Sequence, residues 1–183
     1  MIPCYVSGKG MYASDPTWSF KTAVMLALEE SGLGYDTRFR YYRDRFPNMP
    51  AAELARMVCD PVEYYDPDWP AYRGGLGADL DETEAATRFM LALDDRFRDE
   101  ARAAIYCFDE AGFGSGVNAM RFLTRGTPLI GFYNPARRNP TLNLSNILQL
   151  RLDYPALVTL ERYEAPEQIP PRVLAWLAEF GGK

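Results

Sequence analysis

The chain has 183 residues, 48% of them hydrophobic and 25% charged, a composition that suits one globular domain with a substantial core. It contains no histidine, which excludes Ser-His-Asp and Cys-His catalysis, an imidazole general base and every histidine metal site. Its net charge of −5 argues against a polymeric nucleic acid as partner, although a few backbone N–H groups can still hold a mononucleotide.

Taken in chain order, residues 2–6 read as a short strand, followed by the loop Ser7-Gly8-Lys9-Gly10. Asp15-Pro16 is a helix start, an acceptor followed by proline at the first helical position. That helix runs to about Ser31 with Phe20, Val24, Ala27 and Leu28 on one face, and Gly32 and Gly34 stop it. Tyr35 to Tyr42 alternates, with Tyr35, Thr37, Phe39 and Tyr41 set against Asp36, Arg38 and Arg40, which predicts a half-exposed strand. A short helix follows at about 50–59. The stretch 60–80 is rich in Pro, Gly, Asp and aromatics and is too apolar for a disordered linker. It reads as an ordered excursion whose Tyr64, Tyr65, Trp69 and Tyr72 either cover a ligand as a lid or form a small satellite core.

A long amphipathic helix is expected over 81–102, with Ala85, Ala86, Phe89, Met90, Leu93 and Phe97 as its stripe. Ala104 to Phe108 is nearly all apolar, as suits a strand buried on both faces. The loop Asp109 to Gly116 leads into a helix at 117–125, and Pro128 to Phe132 is a second buried strand. A polar loop from Asn134 to Asn139, a helix at 141–152, a strand at 156–162 and a final helix from Pro170-Pro171 complete the chain. This alternation predicts one α/β domain over 1–183, a Rossmann-like or flavodoxin-like three-layer sandwich on a mostly parallel five-stranded sheet. Ligands of such sheets sit at the C-terminal strand ends, near the topological switch point.

Two glycine loops fall at those ends. One is Ser7, Gly8, Lys9 and Gly10; the other is Gly112 to Gly116, containing Gly114 and Ser115. Glycine lets backbone approach a ligand, and the second loop opens a helix whose N–H groups suit an anion. Neither is a phosphate-binding or dinucleotide-binding fingerprint, so a pair of plain tight turns stands as the alternative. Asp109 and Glu110 are carboxylates at a strand end, and Arg137-Arg138 before a helix start offers either a phosphate contact or a solvated loop.

Tyr5-Val6-Ser7-Gly8-Lys9-Gly10 resembles the opening strand and loop of the nucleoside 2-deoxyribosyltransferase family. The stretch from Asp95 through Pro128 is similar to that family as well, with an Asp ahead of the buried strand Ile105 to Phe108, the loop Ser115-Gly116 and the entry Gly126-Thr127-Pro128. The resemblance covers about the first ten residues and 80–135. It implies nucleotide-handling chemistry at an N-glycosidic bond, in which a carboxylate attacks the anomeric carbon through an oxocarbenium-like transition state. It further implies that Tyr5 orients the nucleophile, that Asp95 assists as acid or partner of the base, and that a homodimer forms. Asn118 stands where the family has its nucleophilic Glu. Glu110 or Asp109 then supplies the carboxylate, or the domain is a non-catalytic sensor of a nucleotide derivative in which Asn118 hydrogen-bonds ribose or base. TIR-like and SLOG-like sensors share the fold.

Cys4, Cys59 and Cys107 lie far apart without a C-x-x-C and read as reduced, buried thiols. No apolar run approaches the roughly 20 residues needed to span a bilayer, and no basic segment opens the chain, so a cytoplasmic protein without a membrane partner is expected. No metal or cofactor is implied, because no paired carboxylate ligands stand out.

Overall fold

The computed structural model describes residues 1–8, 15–59, 66–75, 81–137 and 144–181. Five strands, β1 (Ile2–Ser7), β2 (Gly34–Asp36), β3 (Ala103–Cys107), β4 (Leu129–Tyr133) and β5 (Val158–Arg162), form one sheet in the order β2-β1-β3-β4-β5. Every pairing is parallel, with Ser7 opposite Tyr106 and Cys107 opposite Phe132. The expected α/β three-layer architecture is therefore present.

Alternation along the strands splits the core in two. Cys4, Val6, Ile105, Cys107, Ile130 and Phe132 face α1 (Asp15–Ser31), α3 (Ala51–Cys59) and α8 (Ile169–Gly181). Tyr5, Ala104, Tyr106, Phe108 and Leu129 face α5 (Glu82–Glu100), α6 (Phe113–Thr124) and α7 (Leu144–Asp153). β3 is buried along its whole length, which is why its sequence is continuously apolar. Gly131 in β4 is dictated by packing, because a Cβ there runs into the Phe108 ring. Gly32 (φ +67°) and Gly126 (φ +75°) end α1 and α6 in the left-handed conformation that glycine adopts without strain.

Two expectations are corrected. The strand predicted at Tyr35 to Tyr42 is β2 for only three residues and then becomes helix α2 (Thr37–Arg45). The Asp36 carboxylate caps α2 by accepting the Arg38 and Phe39 N–H groups, each at 3.0 Å. The helix then wedges into the sheet edge, with Phe39 buried in one core layer and Tyr41 in the other. Burial on two opposite sides is what produces the misleading period of two. The helix expected from 117 begins four residues earlier, at Phe113, with Gly112 as its N-cap and Gly114 and Gly116 inside it. The helix expected from 141 is described from Leu144 to Asp153, its first three positions lying outside the described residues.

In the excursion, α4 (Trp69–Gly75) packs Trp69 and Tyr72 against Phe89, with ring centroids 5.4 and 5.0 Å apart, over Ala85 and Ala86. These two aromatics form a satellite core. The excursion is also tied to α2, since the Tyr42 hydroxyl donates to Asp66 at 2.8 Å and the Tyr41 hydroxyl to Asp68 at 3.0 Å. Tyr64 and Tyr65 lie outside the described residues.

Candidate functional site

The order of the sheet puts its switch point between β1 and β3, the two strands that carry the predicted glycine turns. Both turns leave the sheet at the same rim. A side chain at Gly8 would stand 3.3 Å from Thr17 Cγ2 and 3.6 Å from both Cys107 and Lys21, so Gly8 is pressed between β3 and the start of α1. Lys9 and Gly10 lie outside the described residues, as does Arg138. At the second turn Ser115 is buried, whereas a Cβ on Gly112, Gly114 or Gly116 would meet nothing. α6 has no side-chain cap, so the N–H groups of its first turn face the rim without one.

On the α5/α6 side of the sheet, a polar network gathers around Arg98, whose side chain is only 4% exposed. Its guanidinium donates to Asn118 Oδ1 at 2.9 Å and Asp95 Oδ1 at 2.8 Å, and reaches Asp94 Oδ2 at 3.3 Å. Arg121 adds a second ion pair to Asp95 at 2.8 Å. These hydrogen bonds, Arg98's foremost, hold the Asp95 carboxyl below its ordinary range. Tyr5 enters the network through the neighbouring acid, its hydroxyl donating to Asp94 Oδ1 at 3.3 Å. Burial pushes the Tyr5 phenol up to about 12, so it stays a proton donor at neutral pH.

Tyr5 is fixed from two other directions. Its ring packs on Phe122, with centroids 5.5 Å apart, and the Arg38 guanidinium lies 4.6 Å over its face. Arg38 in turn donates to the Val6 carbonyl and pairs with Asp36 at 3.6 Å, while Val6 N–H donates to Asp36 at 2.8 Å. Two side chains thus complete the backbone hydrogen bonding of β1 where β2 turns away into α2. Beside Tyr5, the Tyr106 hydroxyl is fully buried and has no hydrogen-bond partner among the described residues, with Ser7 adjacent across the strand pairing.

The other predicted carboxylates lie apart from this network. Glu110 accepts from the Thr17 hydroxyl at 3.0 Å, on the α1 side. Asp109 is buried between strand ends, accepting from Asn134 N–H at 2.7 Å and from the Tyr163 hydroxyl, and burial raises its pKa. It ties the ends of β3, β4 and β5 together and has little surface to offer a ligand. Lys21 is buried near Gly8, donates to the Cys59 carbonyl at 3.5 Å, and is pulled down in pKa by burial. The three cysteines are free and buried, and burial pushes Cys4 and Cys107 up to about 12, so neither is a thiolate at neutral pH.

Of the predicted residues, then, Tyr5, Asp95 and Asn118 meet on one side of the switch point, Gly8 and Glu110 on the other. Sequence reasoning missed Asp94, Arg98, Arg38 and Asp36. The spacing Asp94-Asp95 to Arg98 is a helical ion-pair signal, and Arg98 directly follows the buried Phe97, so an arginine inside the apolar stripe was there to be read. Among the described residues no three Cys, Asp or Glu side chains gather as metal ligands. No helix among them is long and apolar enough to cross a membrane. No family model matches the chain, and no curated protein matches its sequence.

Proposed function

We propose that this domain binds a nucleoside or nucleotide at the β1/β3 rim and cleaves its N-glycosidic bond through Asp94. The observation that carries the reading is the Tyr5 hydroxyl bound to the Asp94 carboxylate at the switch point. The reaction needs an oriented negative oxygen beneath the anomeric carbon. Asp94 is the acid best suited to supply it, because it is the one Tyr5 touches and it pairs with a single arginine, whereas Asp95 pairs with two. In this scheme an Asp94 oxygen bonds to C1′ as the C1′–N bond breaks, and the base leaves with that electron pair and takes up a proton from solvent. Water then cleaves the glycosyl ester, giving the free sugar and restoring the carboxylate. Tyr5 and Arg98 act as positioning residues, and the first turn of α6 offers N–H groups to an oxygen or phosphate of the ligand.

A second reading, a nucleotide sensor without turnover, is favoured by Asn118. Its amide oxygen is engaged by Arg98, leaving the amide hydrogens to donate to ribose or base. Incubation with purine and pyrimidine nucleosides and nucleotides, followed by chromatography for free base, separates the two. The glycosidase reading expects base release that Asp94→Asn abolishes and Glu110→Gln preserves. The sensor reading expects thermal stabilisation with no free base, about 2.7 kcal/mol at a ligand concentration one hundred times Kd. Neither release nor stabilisation with any nucleotide overturns both.

A further inference from the structure

Lys21 is a buried cation that the chain leaves poorly compensated. It sits on α1 where that helix passes the end of β1, and only 3% of the residue is exposed. Its stem lies along Gly8, the Cδ carbon 3.6 Å from where a Cβ would stand. The ammonium can donate in three directions, yet its hydrogen bonding among the described residues is one long contact of 3.5 Å to the Cys59 carbonyl at the end of α3. No carboxylate among the described residues forms an ion pair with it. Burial pulls its pKa down, as it does for a cation without an adequate partner. Arg38 adds a like charge nearby, while Asp36 and Asp94 act on it in the opposite sense. Both acids are committed elsewhere, Asp36 to Arg38 and three backbone N–H groups, Asp94 to Tyr5 and Arg98. The end of α3 offers no more than about half a negative charge. An apolar side chain of similar length would fill this space without the cost of a buried charge, so packing alone does not call for a lysine.

We propose that Lys21 holds the phosphate group of a nucleotide at the end of β1, so that the ligand of the β1/β3 rim is a nucleoside phosphate and not a free nucleoside. The inference rests on the reading of that rim as a nucleotide site and adds which ligands it accepts. Lys21 reaches the end of β1 from α1, and Asp94 reaches it from α5 through Tyr5. Each feels the charge of the other across that strand end. A ligand lying over β1 therefore turns its anomeric carbon toward Asp94 and its phosphate toward Lys21. The four-carbon stem lets the ammonium leave its weak contact with Cys59 for a phosphate oxygen, and a compact point charge suits a phosphate without demanding one fixed geometry. The first turn of α6 is then left for another oxygen of the same ligand.

Thermal unfolding, ligand titration and base release on the full chain test this, with sodium phosphate, sodium chloride at equal ionic strength, nucleosides and their 5′-monophosphates as probes. Phosphate is expected to raise the wild-type unfolding midpoint above that in chloride. Nucleotide is expected to bind at least about tenfold more tightly than the matching nucleoside, the low end for one hydrogen bond to a charged group. Lys21→Met, with Lys21→Gln as a second uncharged variant and circular dichroism to verify folding, should lose the phosphate shift and the nucleotide preference while binding nucleoside as before. Without ligand, Lys21→Met should unfold at or above the wild-type midpoint, since a buried charge has been exchanged for an apolar chain. A lysine that only capped α3 would instead leave a less stable variant with its nucleotide preference intact, which overturns the inference. So does a wild type that phosphate fails to stabilise, one that binds nucleoside and nucleotide equally, or a phosphate shift that both variants retain. Base release alongside any of these leaves the glycosidase reading standing. A phosphate shift that depends on Lys21, without base release from any nucleotide, sustains the phosphate site and overturns the glycosidase reading.

Discussion

Asp36 is the residue on which the geometry around Tyr5 most depends, and replacing it should be costly. Its carboxylate accepts from the N–H groups of Val6, Arg38 and Phe39 and pairs with the Arg38 guanidinium, all without solvent exposure of its own. In Asp36→Ala, loss of the α2 cap costs about 1 kcal/mol. The orphaned Val6 N–H adds about 1 kcal/mol or more. Stranding the largely buried Arg38 adds about 3 kcal/mol, the low end for breaking a buried ion pair. The total, about 5 kcal/mol, is comparable to the whole stability of many domains. Asp36→Asn keeps a capping oxygen but turns a donor toward other donors, and should cost about 3 kcal/mol. Urea unfolding of both variants measures this. Arg38→Met in the Asp36→Ala background removes the stranded charge and should recover about 2 kcal/mol relative to the sum of the single losses. An Asp36→Ala cost below about 1 kcal/mol, or strict additivity with Arg38→Met, would refute the reasoning.

Gly131→Ala should lose about 1–3 kcal/mol by overpacking against the Phe108 ring, and Phe108→Leu in the same chain should recover part of it in urea unfolding. Tyr106→Phe deletes a buried hydroxyl without a partner, so it should leave the unfolding midpoint unchanged or raise stability by up to about 1 kcal/mol. Asp109 has a folded pKa raised above 3.8, so the folded state holds its proton more tightly than the unfolded state. Its contribution to stability is therefore greatest at low pH and declines as pH rises from 3.8 through the raised value, and Asp109→Asn should flatten that segment of the stability–pH curve.

What could be read in the sequence followed from how each segment is buried. β3 was legible because burial on both faces leaves a continuous apolar run, and α1 and α5 because each hides a single stripe. α2 was not, because a helix buried on opposite sides imitates the alternation of a strand. The start of α6 was hidden by Gly114 and Gly116, which look like loop residues although they lie inside the helix and no neighbour crowds a Cβ at either position. At the site, Tyr5, Asp95 and Asn118 were named and do meet, yet the acid that Tyr5 touches is Asp94, one position away. Sequence spacing locates the helix that carries the acids; only the rotation of α5 over β1 decides which acid turns toward the phenol. Arg98 was passed over because a charge on a helix is usually solvated, and here three polar side chains compensate its burial.

The wedge formed by α2 has a dynamic consequence. A short peripheral helix would ordinarily fray early and exchange its amide hydrogens through local opening. This one holds Phe39 in one hydrophobic layer and Tyr41 in the other, so its release would breach both layers at once. Its central amides should therefore exchange on the timescale of global unfolding, which makes the margin of the sheet one of the last parts of the molecule to yield.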